Sequence, residues 1–113
     1  LFGWWMPNAM PVREGSMCVT PRISAIAWYE LARGPRTPQQ LAVARSFFGE
    51  NGIVPFSEDI ALHAAEAFRK LGSPRKRAAD IAIGVTAVLS GAKLCTRNTR
   101  DFAGIERLEL VRA

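Results

Sequence analysis

The chain predicts an α/β domain with a small, mostly parallel sheet and helices on both faces. Three observations carry that expectation. Strand-like and helix-like stretches alternate in the order strand, helix, helix, strand, helix, helix, strand, strand. Three helix starts are each marked by a hydroxyl residue, at Ser24, Thr37 and Ser57. A nearly all-apolar run from Ile81 to Leu89, stopping at Gly91, leads into a short strand from Lys93 to Thr96, as a buried helix with a glycine stop does.

Taken in order, residues 1–18 show no periodicity. Trp4, Trp5, Met6, Pro7, Met10, Pro11 and Met17 fit neither helix nor strand, and the segment is expected to be irregular, with Trp4 and Trp5 covering core. A domain is expected over residues 19–113. Val19 to Ile23 is a strand candidate weakened by Pro21. Ser24 caps a helix ending near Gly34 that carries Glu30. Thr37-Pro38-Gln39-Gln40 combines a hydroxyl cap, a first-turn proline and a capping-box glutamine. Ile53 to Phe56 reads as a strand. Ser57 opens a helix with Glu58 and Asp59 in its first turn and a stripe of Ile60, Ala64, Phe68 and Leu71. His63 falls off that stripe, is expected exposed, and has no second histidine to share a metal with. Ser73-Pro74 is expected to start the next helix. Leu108 to Val111 closes the chain as an edge strand.

With 113 residues, about half of them apolar, the chain suits one small domain with one core. A net charge of +5 and an isoelectric point near 10.0 favour a polyanionic partner, nucleic acid first. Cys18 and Cys95 cannot supply a disulfide framework or a zinc site, and Cys95 is expected to be a buried thiol. No stretch approaches a membrane-spanning length, and Leu1 to Met10 lacks the basic run and apolar core of a signal peptide. A soluble cytoplasmic protein is the expectation.

The chemistry-bearing residues cluster around one segment. Asp80 opens the apolar helix, and Asp101 stands just past the strand that follows it. Loops at the carboxyl ends of strands are where ligand sites form in open α/β sheets, so two acids there are candidate ligands for a divalent metal. The alternative is that Asp80 stabilises a helix N-terminus and Asp101 is an ordinary loop residue. Arg75, Lys76 and Arg77 crowd a first helical turn, which is unfavourable unless an acidic site or a phosphate lies near. A solvated basic face is the competing explanation.

These residues carry a family resemblance. From Ile23 to Val111 the chain resembles a PIN domain of the kind found in VapC-type toxins of toxin–antitoxin modules. Ser24 to Glu30 is similar to the family's strand-to-helix segment with its acid. Arg77-Ala78-Ala79-Asp80 resembles the segment that carries a further acid. Thr96-Arg97-Asn98-Thr99-Arg100-Asp101-Phe102 is close to the Thr-x-Asn-x-x-Asp-Phe signature. The resemblance implies a three-layer α/β/α fold and a Mg²⁺- or Mn²⁺-dependent endoribonuclease. It assigns Glu30, Asp80 and Asp101 as the acids that hold the metal. Asn98 and Thr96 would orient Asp101 or a water, and Arg75, Lys76, Arg77, Arg97 and Arg100 would meet RNA phosphates. It also implies a cognate antitoxin and a possible homodimer, for which Trp28, Tyr29, Phe47 and Phe48 offer an aromatic surface.

One feature of the family has no counterpart. The first acid belongs to an Asp-x-Asn motif ending the first, central strand, and neither motif nor strand is legible here. Glu14 is the only acid before Glu30. The first strand is therefore expected to be missing or replaced, and the leading function, an RNA-cleaving toxin, competes with an inactive PIN remnant that binds RNA or an antitoxin. A plain structural α/β domain is a third reading.

Overall fold

The structure is a computed structural model, and it describes the backbone of Trp4–Pro7 and residues 21–112. Five strands and four helices follow one another among these residues. They are β1 (Trp4–Pro7), β2 (Ile23–Ser24), α1 (Ala25–Ala32), α2 (Pro38–Ser46), β3 (Ile53–Val54), α3 (Glu58–Lys70), α4 (Ala78–Leu89), β4 (Ala92–Thr96) and β5 (Leu110–Arg112). Short 3-10 turns at Arg75–Arg77 and Thr99–Phe102 flank α4 and follow β4. Helices around small parallel pairings form the expected three-layer α/β/α architecture.

The strands make two sheets. β2 pairs with β3 in parallel, Ile23 opposite Ile53 and Ser24 opposite Val54. β4 pairs in parallel with β5 on one side, Leu94 opposite Leu110, and antiparallel with β1 on the other, Trp4 opposite Cys95. The irregular segment expected at the N-terminus is thus corrected over Trp4–Pro7, which form a strand. β1 is an edge strand beside β4 and lies near β2. Four residues are too few for alternation to show, and a proline in an edge strand forfeits no ladder bond that the sheet needs. The expectations for residues 1–3 and 8–20, Cys18 and the proposed strand start at Val19 among them, lie outside the described residues.

α4 organises the core. Every residue from Ile81 to Val85, then Thr86 and Ala87, is buried, the condition that an apolar run on all sides requires. It packs on α3, α1 and β4, beside Ile23, Leu94, Phe102 and Ile105. Thr86 donates its hydroxyl to the Ala82 carbonyl at 2.7 Å, so its polar atom is satisfied inside the helix. Gly91, at φ +65°, ends the helix in the left-handed region that favours glycine. β4 then alternates, with Ala92, Leu94 and Thr96 buried and Lys93 exposed. Cys95 faces away from the core side of the pleat with Lys93. It is half-buried and free, a correction to the expected buried thiol.

The three hydroxyl caps stand as expected. Ser24 accepts from the Ala27 N–H at 2.9 Å, Ser57 accepts from the Ile60 N–H at 3.2 Å, and Thr37 and Gln40 form a complete capping box. Other boundaries move, for local reasons. Pro55 cannot donate to a ladder, and β3 stops at Val54. Arg107, at φ 67°, turns the chain just before the last strand, which begins at Leu110 rather than Leu108. Ser73, at φ 56°, and extended Pro74 prevent a helix from starting there. Arg75, Lys76 and Arg77 therefore occupy a separate 3-10 turn, and α4 begins at Ala78. That shift removes three cations from the first α-helical turn and leaves Asp80 in it, where a carboxylate is favoured.

Candidate metal and nucleic-acid site

Three different elements deliver the candidate acids. Glu30 stands on α1, which Ser24 caps next to β2. Asp80 stands in the first turn of α4. Asp101 belongs to the 3-10 turn that follows β4. All three side chains are half-buried.

Two of them act electrostatically on the third. The Asp80 carboxyl is held above its ordinary value, first by burial and then by the negative charges of Asp101 and Glu30, with the Arg77 guanidinium pulling it partly back. The fold therefore brings Glu30 and Asp101, far from Asp80 in sequence, within electrostatic reach of it. The shell is loose, however. No group of three His, Cys, Asp or Glu residues among the described residues is close enough to hold a metal ion by itself. Oxygen ligands and unrelieved repulsion between carboxylates suit a hard cation such as Mg²⁺, which keeps several waters and needs only one or two carboxylates. The donor chemistry fits such an ion; an all-protein cage is not built.

Thr96 and Asn98 are joined to the Asp101 turn by two hydrogen bonds. The buried Thr96 hydroxyl accepts from the Asn98 N–H at 3.1 Å, and the Asn98 carbonyl accepts from the Asp101 N–H at 3.2 Å. The Asn98 side chain is exposed and makes no capping bond to the 3-10 turn. Among the basic residues, Arg75, Lys76, Arg97 and Arg100 are exposed. Arg77 is half-buried and occupied: its Nε donates to the Asp101 carbonyl at 3.1 Å and its Nη2 donates to the Ala103 carbonyl. That strut links positions 24 and 26 residues apart, so nothing in the local sequence signals it.

The PIN domain model matches residues 12–108. The chain belongs to the PIN domain family. Glu30, Asp80 and Asp101 all lie inside the matched stretch, and β1 lies ahead of it. PIN domains are generally nucleases, act on nucleic acid and typically depend on a divalent metal. No curated protein matches the chain closely enough to count as a relative. No helix among the described residues is long and apolar enough to cross a membrane.

The remaining expectations divide. His63 is exposed, as expected, with Nδ1 2.9 Å from the Asp59 carbonyl. Of the four aromatic rings expected at a partner surface, Tyr29 is 60% and Phe47 54% exposed, whereas Phe48 is buried and Trp28 half-buried. Phe48 belongs to the core and meets both Trp28 and Phe47 edge-on, at centroid distances of 6.5 and 5.4 Å.

Proposed function

We propose that this PIN domain is a metal-dependent endoribonuclease that hydrolyses RNA phosphodiester bonds, with residues 19–113 as its working unit. The observation that carries the reading is the action of the Asp101 and Glu30 charges on Asp80. A carboxyl whose proton affinity is raised by neighbouring negative charges is one that a divalent cation would relieve. A bound Mg²⁺ or Mn²⁺ would supply an activated water and stabilise charge on the phosphoryl and leaving oxygens. Asp80 and Asp101 are its proposed ligands, with Glu30 completing the negative pocket. Asn98, exposed beside Asp101, would receive a water, and Thr96 would fix the loop through the Asn98 N–H. Exposed Arg75, Lys76, Arg97 and Arg100 would meet RNA phosphates, and the free donors of Arg77 would add to them.

The wider assignment is a toxin of a toxin–antitoxin module, working in the cytoplasm. Its support is the resemblance of the Thr96–Phe102 motif and the exposed Tyr29 and Phe47, where an antitoxin or a second copy would dock. The test is cleavage of single-stranded RNA by the purified, folded chain with Mg²⁺ or Mn²⁺ and without metal. Metal-dependent cleavage that Asp80→Asn and Asp101→Asn abolish is expected; a folded chain that cuts nothing in either metal refutes the reading.

The loose shell favours a second reading, an inactive PIN remnant that still binds RNA or an antitoxin. No three acids are grouped to hold an ion among the described residues, and the Asp-x-Asn motif has no counterpart in the sequence. Titration with Mn²⁺ separates the two readings, because the remnant takes up no ion at the acids.

A further inference from the structure

We infer that Arg77 is a positioning residue, whose guanidinium pins the Asp101–Ala103 backbone to the start of α4 and so sets where the Asp101 carboxylate stands relative to Asp80. The inference rests on the nuclease reading for its catalytic consequence, and on geometry alone for the strut itself. Asp101 sits in a 3-10 turn of only four residues, Thr99–Phe102, with no side-chain cap. At its ends the Asp101 N–H donates to the Asn98 carbonyl at 3.2 Å and the Ala103 N–H donates to the Arg100 carbonyl at 3.2 Å. Phe102, buried in the core, anchors one side chain of the turn. No hydrogen bond among the described residues reaches the Asp101 carboxylate.

Arg77 adds a side-chain tie to this turn, which has no side-chain cap. Its backbone sits at the junction between the 3-10 turn Arg75–Arg77 and α4, three residues before Asp80. Its side chain reaches across to two carbonyls of the Asp101 turn, from Nε and from Nη2. A planar guanidinium offers donors in a fixed fork, so two bonds to carbonyls two residues apart fix direction as well as distance. One side chain thus ties the element that carries Asp80 to the element that carries Asp101. A lysine keeps the positive charge but offers a point donor and cannot reproduce the fork.

The charge and the fork are separable by experiment. Arg77→Lys and Arg77→Ala are compared with the parent chain in RNA cleavage at saturating Mn²⁺, and in amide hydrogen exchange of the metal-free protein. The strut predicts that Arg77→Lys lowers kcat by about 10-fold or more while KM stays within about twofold, since small misplacements of a reacting group cost rates of this size. It also predicts about 10-fold faster exchange at the Asp101 and Ala103 amides in both variants, the loss of roughly one net charged hydrogen bond, with amides of Gly84 to Val88 unchanged.

A variant Arg77→Lys with parental kcat and parental exchange overturns the inference. So does an Arg77→Ala effect confined to KM, which would make Arg77 a phosphate contact only. If the parent chain itself cuts no RNA, the nuclease reading fails, and exchange at Asp101 and Ala103 decides the strut alone: acceleration supports it and parental rates refute it.

Discussion

Replacing Ser24 with alanine tests how the fold holds Glu30 in place. The Ser24 hydroxyl accepts from the Ala27 N–H at 2.9 Å. Ser24 is 1% exposed and Ala27 0%, so no water can take over that N–H when the hydroxyl is removed. Losing an N-cap costs about 0.5–2 kcal/mol, and a buried donor left unpaired costs about 1–3 kcal/mol. These describe one event and are not summed; about 2 kcal/mol is expected. For a chain of 113 residues, an unfolding entropy of about 2.1 cal/mol/K per residue makes 1 kcal/mol worth about 4 °C, so the Tm should fall by about 8 °C. The internal control is Ser57→Ala. Ser57 makes the same kind of bond, to the Ile60 N–H at 3.2 Å, but on an exposed helix start, where water replaces it. About 0.5–1 kcal/mol, or roughly 2–4 °C, is expected there. Thermal and urea unfolding of the two variants, measured side by side, give the comparison. If Ser24→Ala costs no more than Ser57→Ala, burial does not set the worth of these caps and the reasoning is wrong.

Three further outcomes are expected. Asp80→Asn should abolish metal-dependent cleavage yet raise stability at neutral pH. A carboxyl whose proton affinity is raised in the folded state binds more protons folded than unfolded. Parent stability therefore falls as pH rises from about 3.8 through the raised folded value. The gain in the variant should shrink at acid pH, and a Tm several degrees lower in Asp80→Asn at pH 7 would mark Asp80 as structural. Gly52→Ala should destabilise by about 1–3 kcal/mol in urea unfolding, because a Cβ there would stand 2.5 Å from the Phe48 Cβ and 2.8 Å from the Gly49 nitrogen, neither of which is a flexible side-chain end. Arg97→Ala and Arg100→Ala should each weaken RNA binding and reduce the slope of log K against log salt by about 0.7, read by binding titrations at several salt concentrations; an unchanged slope would remove that residue from the interface.

Much of this protein follows from its sequence because the deciding physics is local. Ser24, Thr37 and Ser57 announce their helices through bonds that span three residues. The run from Ile81 to Leu89 has no polar face and must be buried. Gly91 supplies the left-handed turn that ends it. The motif from Thr96 to Phe102 and the order of Glu30, Asp80 and Asp101 point to the PIN family, and the family match over residues 12–108 agrees. Tertiary structure decided the rest. β1 exists because β4 offers an edge to pair with, and a strand of four residues has no periodicity of its own to read. The start of α4 was set by the left-handed Ser73 rather than by the Ser73-Pro74 signal. The division of the aromatic rings, Phe48 inward and Tyr29 and Phe47 outward, depends on which side of α1 and which side of the α2 C-terminus meet the core. The nearness of three acids 50 and 21 residues apart, and the Arg77 strut beneath one of them, are products of chain folding. Charge repulsion and a forked guanidinium act through space, and a sequence records only distance along the chain.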